Sequence, residues 1–188
     1  MKKLPTLFVR TFKDHAVTGI CPTLSDPSLS WVLEGEGVAT EKIDGACCAF
    51  IDGIFHKRYD AKKGKQPPNG SIPCDNPDPV TGHWPHWAPI LDSDPGTKWY
   101  RAARDNTGAE LPDGTYEAIG PHFQRNPYHL EKDILVHHGE KVIDLPDRSF
   151  DGIRDYLRNH DIEGIVFWKD GKPQCKIKRS DFGFRWGR

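Results

Sequence analysis

The dipeptide Asp-Gly stands twice between two short apolar runs, and this pattern constrains the fold more than any other feature of the sequence. Asp52-Gly53 separates residues 46–51 (ACCAFI) from 54–59 (IFHKRY), and Asp170-Gly171 separates 164–168 (GIVFW) from 173–180 (PQCKIKRS). Asp-Gly supplies the backbone conformation that a two-residue hairpin turn needs. No alternation of strands with helices is visible. The sequence therefore predicts an α+β fold built on antiparallel sheets.

The remaining segments predict a few further elements. They are a strand in residues 31–37, an ordered proline-rich insert at about 61–98, a short helix near 98–105, a strand in 113–120, a hairpin in 133–145 turning at Gly139-Glu140, and a helix in 146–160. Asp147 or Ser149 can cap this last helix, which carries a regular apolar stripe. At 188 residues the chain is expected to form a single domain, 1–188.

Composition narrows the class of protein. Apolar residues make up 36% of the chain and charged residues 28%, which is typical of a folded globular protein. The net charge of −1 excludes a protein that binds nucleic acid through a global basic field. No apolar run is long enough to cross a bilayer, and the first residues do not resemble a signal peptide. Five cysteines without a CxxC pair favour a reducing cytoplasm.

Four charged sets lie on or beside the predicted strands. They are Lys42/Asp44, Glu117, Glu163 and Lys176/Lys178. Strand alternation places Lys176 and Lys178 on one face and Ile177 on the other. A charge at a strand end is most often solvated, so each set alone predicts little. Their order along the chain is more informative.

That order resembles a known set of motifs. EKIDG (41–45), YEAIG (116–120), EGIVF (163–167) and KIK (176–178), with Arg58 on the strand after the first, resemble motifs I, III, IV and V of the covalent nucleotidyltransferase superfamily. This superfamily contains the ATP-dependent DNA and RNA ligases and the mRNA capping enzymes. EKIDGACC and GPHFQRNPY are most similar to stand-alone 5′–3′ RNA ligases, which include phage and bacterial forms.

The resemblance implies the antiparallel, ATP-grasp-like fold of a ligase adenylation domain. Ten residues follow Lys178, so no OB-fold is expected after motif V. This departs from the capping enzymes and the large DNA ligases.

The resemblance also implies roles in catalysis. Lys42 would attack the α-phosphorus of ATP, release pyrophosphate and carry AMP. Lys176 and Lys178 would lower the pKa of Lys42 and neutralise phosphate charge. Glu163 would hold Mg²⁺ (or Mn²⁺), directly or through water.

Contacts with the nucleotide are implied for seven further residues. The main chain of Glu41 and Ile43 would bind the adenine edge. Glu117 would bind a ribose hydroxyl, and Arg58 would contact the ribose or the incoming 5′-phosphate. Val136 or His137 would stack on one face of the adenine, and Ile165 would cover its other face.

The expected activity is thus sealing of RNA with 5′-phosphate and 3′-hydroxyl ends, in the cytoplasm of a bacterial or phage-infected cell. End-healing enzymes are possible partners, and no membrane is expected. Three alternatives stay open: a ligase for nicked DNA, a non-catalytic nucleotide- or nucleic-acid-binding domain of the same fold, and an enzyme that adenylylates proteins or small acceptors. Cys74, His83 and His86 lie together in the insert, but their spacing matches no common zinc pattern.

Overall fold

The fold is described by a computed structural model that covers residues 3–14, 16–108 and 110–187. Its strands are β1 (Phe8–Lys13), β2 (Ala16–Leu24), β3 (Val38–Glu41), β4 (Ala46–Ile51), β5 (Ile54–Ala61), β6 (Ile72–Pro73), β7 (Trp84–Pro89), β8 (Gly114–Ile119), β9 (Ile134–His137), β10 (Gly164–Lys169) and β11 (Lys172–Lys178). Its α-helices are α1 (Ser30–Leu33), α2 (Lys98–Thr107) and α3 (Phe150–Asn159). The strands of each sheet pair antiparallel, which confirms the predicted α+β class.

The chain divides into two compact units. Unit 1 is built on Asp44–His138, and unit 2 on Leu4–Ile43 together with the chain from Gly139 onward. The expectation of a single domain stays a prediction, as does the specific nucleotidyltransferase fold. Each unit has its own buried core.

Unit 1 contains a six-stranded sheet in the order β6-β7-β5-β4-β8-β9. One face of this sheet carries buried apolar side chains, among them Cys48, Tyr116 and Leu135, which cluster with Ala103 of α2. Because side chains alternate along a strand, Cys47 and Glu117 point to the opposite face. We call this opposite face, which carries Cys47, Glu117 and Val136, the polar face.

The turn between β4 and β5 confirms the first predicted hairpin. Asp52 and Gly53 have φ values of 51° and 72°, the left-handed conformation that this turn requires. Their amide groups donate to the Asp113 carboxylate at 2.7 and 2.9 Å. The predicted hairpin of β10 and β11 is also present, with Asp170 and Gly171 at its turn.

Unit 2 contains the two-stranded sheet β1-β2 and the three-stranded sheet β11-β10-β3. Helix α3 packs its buried Ile153 and Leu157 into the core with Phe167 and Ile177. Ser149 caps this helix by accepting a hydrogen bond from the Gly152 amide at 3.1 Å. The predicted helix is therefore confirmed over a shorter range, with Ser149 as its cap.

The predicted strand in residues 31–37 is wrong. Ser30–Leu33 is a helical turn that follows a 3-10 turn at Pro27–Leu29. Asp26 accepts a hydrogen bond from the Ser28 amide at 2.9 Å and so starts the helical segment. Trp31 and Val32 are both buried, whereas strand alternation would place neighbours on opposite faces.

The predicted hairpin in residues 133–145 is also wrong. β9 ends at His137, and it pairs only with β8 among the named strands. The chain turns at Gly139, where φ is 89°, and enters unit 2. There Val142 forms a bridge with Thr40 instead of returning along β9. Residues after Gly139 therefore pair with β3, which is distant in sequence, instead of forming a hairpin with β9.

The proline-rich segment 61–98 is more regular than a long loop. It contains β6 and β7, and β7 pairs with β5 along six residues of each strand. The short helix near 98–105 is present as α2. Helices in the described part of the chain are too short or too polar to span a membrane.

Candidate functional site

The middle strand of the three-stranded sheet in unit 2 brings three motifs together. Gly164 opens β10; its carbonyl accepts a hydrogen bond from the Lys42 amide at 2.9 Å, and it lies opposite Lys178 of β11. A side chain at Gly164 would collide with the carbonyl oxygen of Ile177. The glycine of EGIVF is therefore what lets Lys42 and Lys178 flank the start of one strand closely.

Glu163 is bound by lysines on both sides. Its Oε2 forms an ion pair with Lys42 Nζ, and its Oε1 accepts from Lys178 Nζ at 2.6 Å. The Glu163 side chain is only 7% exposed, whereas Lys42 and Lys178 are 19% and 33% exposed. A carboxylate this buried requires charged or hydrogen-bonding partners. The structure thus joins three of the predicted site residues, Lys42, Glu163 and Lys178, in one cluster.

A third lysine adds positive charge to this cluster. Burial, followed by the charges of Lys42, Lys178 and Arg10, lowers the pKa of Lys176 to about 8. Two ammonium groups therefore pair with Glu163, and a third lies within electrostatic reach of them. The lowered pKa that the resemblance implies for Lys42 stays a prediction.

Lys178 is held in place from its own backbone. Its amide donates to Asp181 Oδ2 at 2.8 Å, and Asp181 is buried and paired with Arg10 at 2.8 Å. The amide of Arg179 donates to the Glu163 carbonyl at 2.8 Å. These contacts fix the end of β11 against the start of β10.

The remaining predicted residues of unit 2 have different surroundings. Ile165 has no exposed surface and lies in the core, because its partner in β11 is the core residue Ile177. The apolar residue of β10 that faces the lysines is Val166, whose partner is Lys176. Sequence reasoning missed Val166, although strand alternation from the KIK motif could have identified it.

Glu41 and Ile43 flank the nucleophile candidate in the chain. The Glu41 amide donates to the Lys141 carbonyl at 2.8 Å, and Ile43 is 5% exposed. The Glu41 carboxylate lies 3.6 Å from Lys141 Nζ. The amide of Glu41 is therefore already bonded within unit 2.

In unit 1, Glu117 is fixed on the polar face by two partners. Its Oε1 accepts from the Gly45 amide at 3.1 Å, and its Oε2 lies 2.9 Å from His138 Nε2. A Cβ at position 45 would stand 2.9 Å from Glu117 Cγ and would collide with the Ala118 carbonyl oxygen. The glycine of KIDG is required for this approach within unit 1.

Register places the two predicted stacking residues on opposite faces of the sheet. Val136 lies opposite Glu117 and shares the polar face. His137 lies opposite Tyr116 on the other face, with the two ring centroids 4.8 Å apart. Of the two predicted residues, only Val136 stands beside Glu117.

His138 is a functional candidate that sequence reasoning missed. Its Nε2 faces Glu117, and its Nδ1 lies 2.9 Å from Thr115 Oγ1. The only signal for it in the sequence is the period of two that relates it to Val136.

Arg58 lies on β5 and donates from Nε to Asp60 Oδ1 at 2.7 Å. It lines a cavity of about 620 Å³ in unit 1 together with Asp75, Asp78 and His83. Its positive charge also acts on Cys47. Arg58 is therefore half-buried beside the acidic side chains of the insert.

Possible metal ligands converge at one place in the described part of the chain. The ligand atoms of Cys47, Glu117 and His138 all lie within 4.8 Å of one another. Burial, followed by the Glu117 charge, raises the pKa of the Cys47 thiol to about 12. Cys74, His83 and His86 do not form such a group among the described residues.

Comparisons with known proteins do not extend this description. No protein-family model matches the chain, and no curated protein matches it significantly.

Proposed function

We propose that the protein is an ATP-dependent polynucleotide ligase that acts on RNA through a lysyl-AMP intermediate on Lys42. One observation carries the proposal: Glu163 is bound by both Lys42 and Lys178, whose charges also lower the pKa of the nearby Lys176. The motifs that resemble those of the ligases supply these four residues. A chance resemblance gives no reason for residues so distant in sequence to share one ion cluster.

The charge of the cluster favours a polyphosphate ligand. Three lysines of like charge, partly removed from water, raise each other's free energy, and a single carboxylate does not balance them. Phosphate groups of ATP would supply the missing negative charge. The same lysines would then stabilise the charge that develops as pyrophosphate leaves.

In the first step the lone pair of Lys42 Nζ attacks the α-phosphorus of ATP. A nitrogen–phosphorus bond forms, the bond from the α-phosphorus to the bridging oxygen breaks, and pyrophosphate leaves with that oxygen. Lys42 must lose its ammonium proton before it attacks, and Glu163 Oε2 is the carboxylate oxygen paired with it. Lys176, with its pKa of about 8, keeps less charge near this nitrogen as the pH rises.

In the later steps AMP passes from Lys42 to the 5′-phosphate of one RNA end. The 3′-hydroxyl of the other end then attacks that phosphate, AMP leaves, and a phosphodiester forms. Several lysines support contact with a phosphate backbone in unit 1: Lys62, Lys63 and Lys65 are exposed directly after β5. The preference for RNA over DNA rests on the resemblance of EKIDGACC and GPHFQRNPY.

Mg²⁺ (or Mn²⁺) would enter as the metal complex of ATP. Both oxygens of Glu163 are paired with lysines, so this carboxylate does not fit a direct metal bond while Lys42 holds Oε2. Oxygen atoms of the phosphates and of water would then be the ligands of the ion, and Glu163 would act on it through water.

Formation of the covalent adduct is the direct test. The protein is first treated with pyrophosphate and Mg²⁺, to remove AMP already bound, and its intact mass is checked. It is then mixed with Mg²⁺ and ATP labelled at the α-phosphate, with GTP and NAD⁺ in parallel, and resolved on a denaturing gel. We expect a label from ATP alone.

Two variants make the result specific. Lys42→Met should carry no label, whereas Lys172→Met, which changes an exposed lysine of β11, should label like the wild type. A label that persists in Lys42→Met would place the nucleophile elsewhere. Absence of label from folded, AMP-free wild type would overturn the proposal in favour of a binding domain.

Substrate class is tested with the labelled adduct. Strands of RNA and of DNA with a 5′-phosphate and a 3′-hydroxyl are supplied separately, as single strands and as nicked duplexes. Sealing of RNA ends is expected. Sealing of nicked DNA alone would identify the DNA ligase, and adduct without sealing would point to adenylylation of another acceptor.

A further inference from the structure

We propose that Cys47, Glu117 and His138 form a binding site for one transition-metal ion of the Zn²⁺ class on the polar face of unit 1. All three ligands belong to unit 1, and no nucleotide is needed to bring them together. Glu117 is also the residue for which the resemblance implies a ribose contact, so metal and nucleotide would compete for this carboxylate, and the site is tested without nucleotide.

The sheet register brings the three ligands together. Cys47 of β4 is the direct partner of Glu117 of β8, so their side chains lie side by side on one face. His138 follows β9, and its amide donates to the Thr115 carbonyl at 3.0 Å. Two neighbouring strands thus contribute one ligand each, and the third ligand follows directly after β9.

The distances suit a tetrahedral ion after small side-chain movements. Bond lengths of about 2.0–2.3 Å from Zn²⁺ to N, O and S place tetrahedral ligand atoms roughly 3.3–3.7 Å apart. The ligand atoms here lie within 4.8 Å of one another, and Glu117 Oε2 and His138 Nε2 are 2.9 Å apart. The glutamate–histidine pair has to open slightly, and the cysteine has to approach.

The ligand types and the charge favour Zn²⁺ over Mg²⁺. Thiolate and imidazole are ligands that Mg²⁺ avoids and Zn²⁺ prefers. A thiolate and a carboxylate together balance the charge of one divalent ion, which suits a half-buried place. Three protein ligands leave a fourth position for water.

Neighbouring groups are placed to orient the ligands. Thr115 Oγ1 lies 2.9 Å from His138 Nδ1 and can accept a hydrogen bond when Nε2 binds the metal. The Gly45 amide holds Glu117 Oε1 and leaves Oε2 directed to the site.

Cobalt reports on the site without any enzymatic assay. The full chain is freed of metal with a chelator, kept reduced, and titrated with Co²⁺ at pH 8 while its absorption spectrum is recorded. We expect saturation at one equivalent, an intense near-ultraviolet band from thiolate-to-cobalt charge transfer, visible bands of a tetrahedral ion, and displacement of Co²⁺ by Zn²⁺.

Variants assign the ligands. Cys47→Ser should remove the charge-transfer band, and His138→Ala should weaken binding at least tenfold, with circular dichroism confirming that both variants fold. Cys74→Ser is the matched control, since Cys74 is also a half-buried cysteine of unit 1, and it should bind Co²⁺ like the wild type.

Three results would overturn the proposal. They are the absence of the charge-transfer band from folded wild type, its persistence in Cys47→Ser, and its loss in Cys74→Ser, which would move the site to the proline-rich segment. Failure of Lys42 to form an adduct has no bearing on these outcomes.

Discussion

Replacement of Lys176 by methionine should stabilise the protein near pH 7. Lys176 is half-buried, and its charge is repelled by Lys42 and Lys178. Methionine keeps most of the apolar stem of the side chain and removes the charge. The variant therefore loses an unfavourable interaction and little packing.

The size of the effect follows from the pKa of Lys176, which lies at about 8 instead of the ordinary 10.5. A fully shielded group with that difference would destabilise the charged folded state by roughly 3 kcal/mol. Because Lys176 is only half-buried, solvent screening reduces this to about 1–2 kcal/mol. We expect the free energy of unfolding to rise by that amount in Lys176→Met at pH 7.

The sign of the pH dependence follows from the same difference. Between about pH 8 and 10.5 the unfolded chain binds a proton at Lys176 that the folded chain has lost. Wild-type stability from this residue therefore increases as the pH rises through that window. The advantage of Lys176→Met should be complete below pH 8 and should vanish near pH 10.5.

Urea denaturation of both proteins at pH 7, 8.5 and 10 measures this difference directly. Lys172→Met serves as the control, because Lys172 is an exposed lysine at the start of the same strand. Its free energy of unfolding should match that of the wild type at each pH. Equal stability of Lys176→Met and wild type at pH 7, or an advantage that does not depend on pH, would refute the reasoning.

Three further predictions concern the same unit. Glu163→Gln should lower the free energy of unfolding by about 2–3 kcal/mol, because it leaves two lysines without their buried carboxylate. The same variant should form no adduct. Unchanged urea midpoints would show that these ion pairs do not stabilise the protein. Gly164→Ala should cost about 1–3 kcal/mol, since the new methyl group collides with the Ile177 carbonyl, and a neutral result by urea denaturation would contradict the close strand approach. Ser149→Ala should cost about 1 kcal/mol through loss of the helix cap, whereas Asp147→Ala should cost less; the reverse order in thermal melts would assign the cap to Asp147.

Much of the local structure was predictable from the sequence. Both Asp-Gly hairpins and helix α3 formed where turn chemistry and periodicity placed them. The two wrong elements share one cause. Residues 31–37 and 133–145 look like strands locally, but burial of Trp31 and Val32 and the bridge from Val142 to Thr40 favour other conformations.

The candidate site was predictable in its members and not in its arrangement. The sequence identified Lys42, Glu163, Lys176 and Lys178 by their order, and the structure brings them together. Sequence reasoning did not identify Val166, which faces Lys176 because side chains alternate along β10. The predicted contact of Ile165 with adenine stays a prediction, and in the structure Ile165 lies in the core.

By itself the sequence determined the two Asp-Gly hairpins, the position of helix α3, and which charged residues accompany the strands. Only the tertiary structure decided which charges meet. Lys42 and Glu163 are 121 residues apart, and Glu117 and His138 meet because β8 and β9 pair in one register. The pKa of Lys176 depends on its burial and on the charges that folding places around it. Turn chemistry acts over a few neighbouring residues, whereas ion pairs and pKa values depend on distances in space that only the folded chain sets.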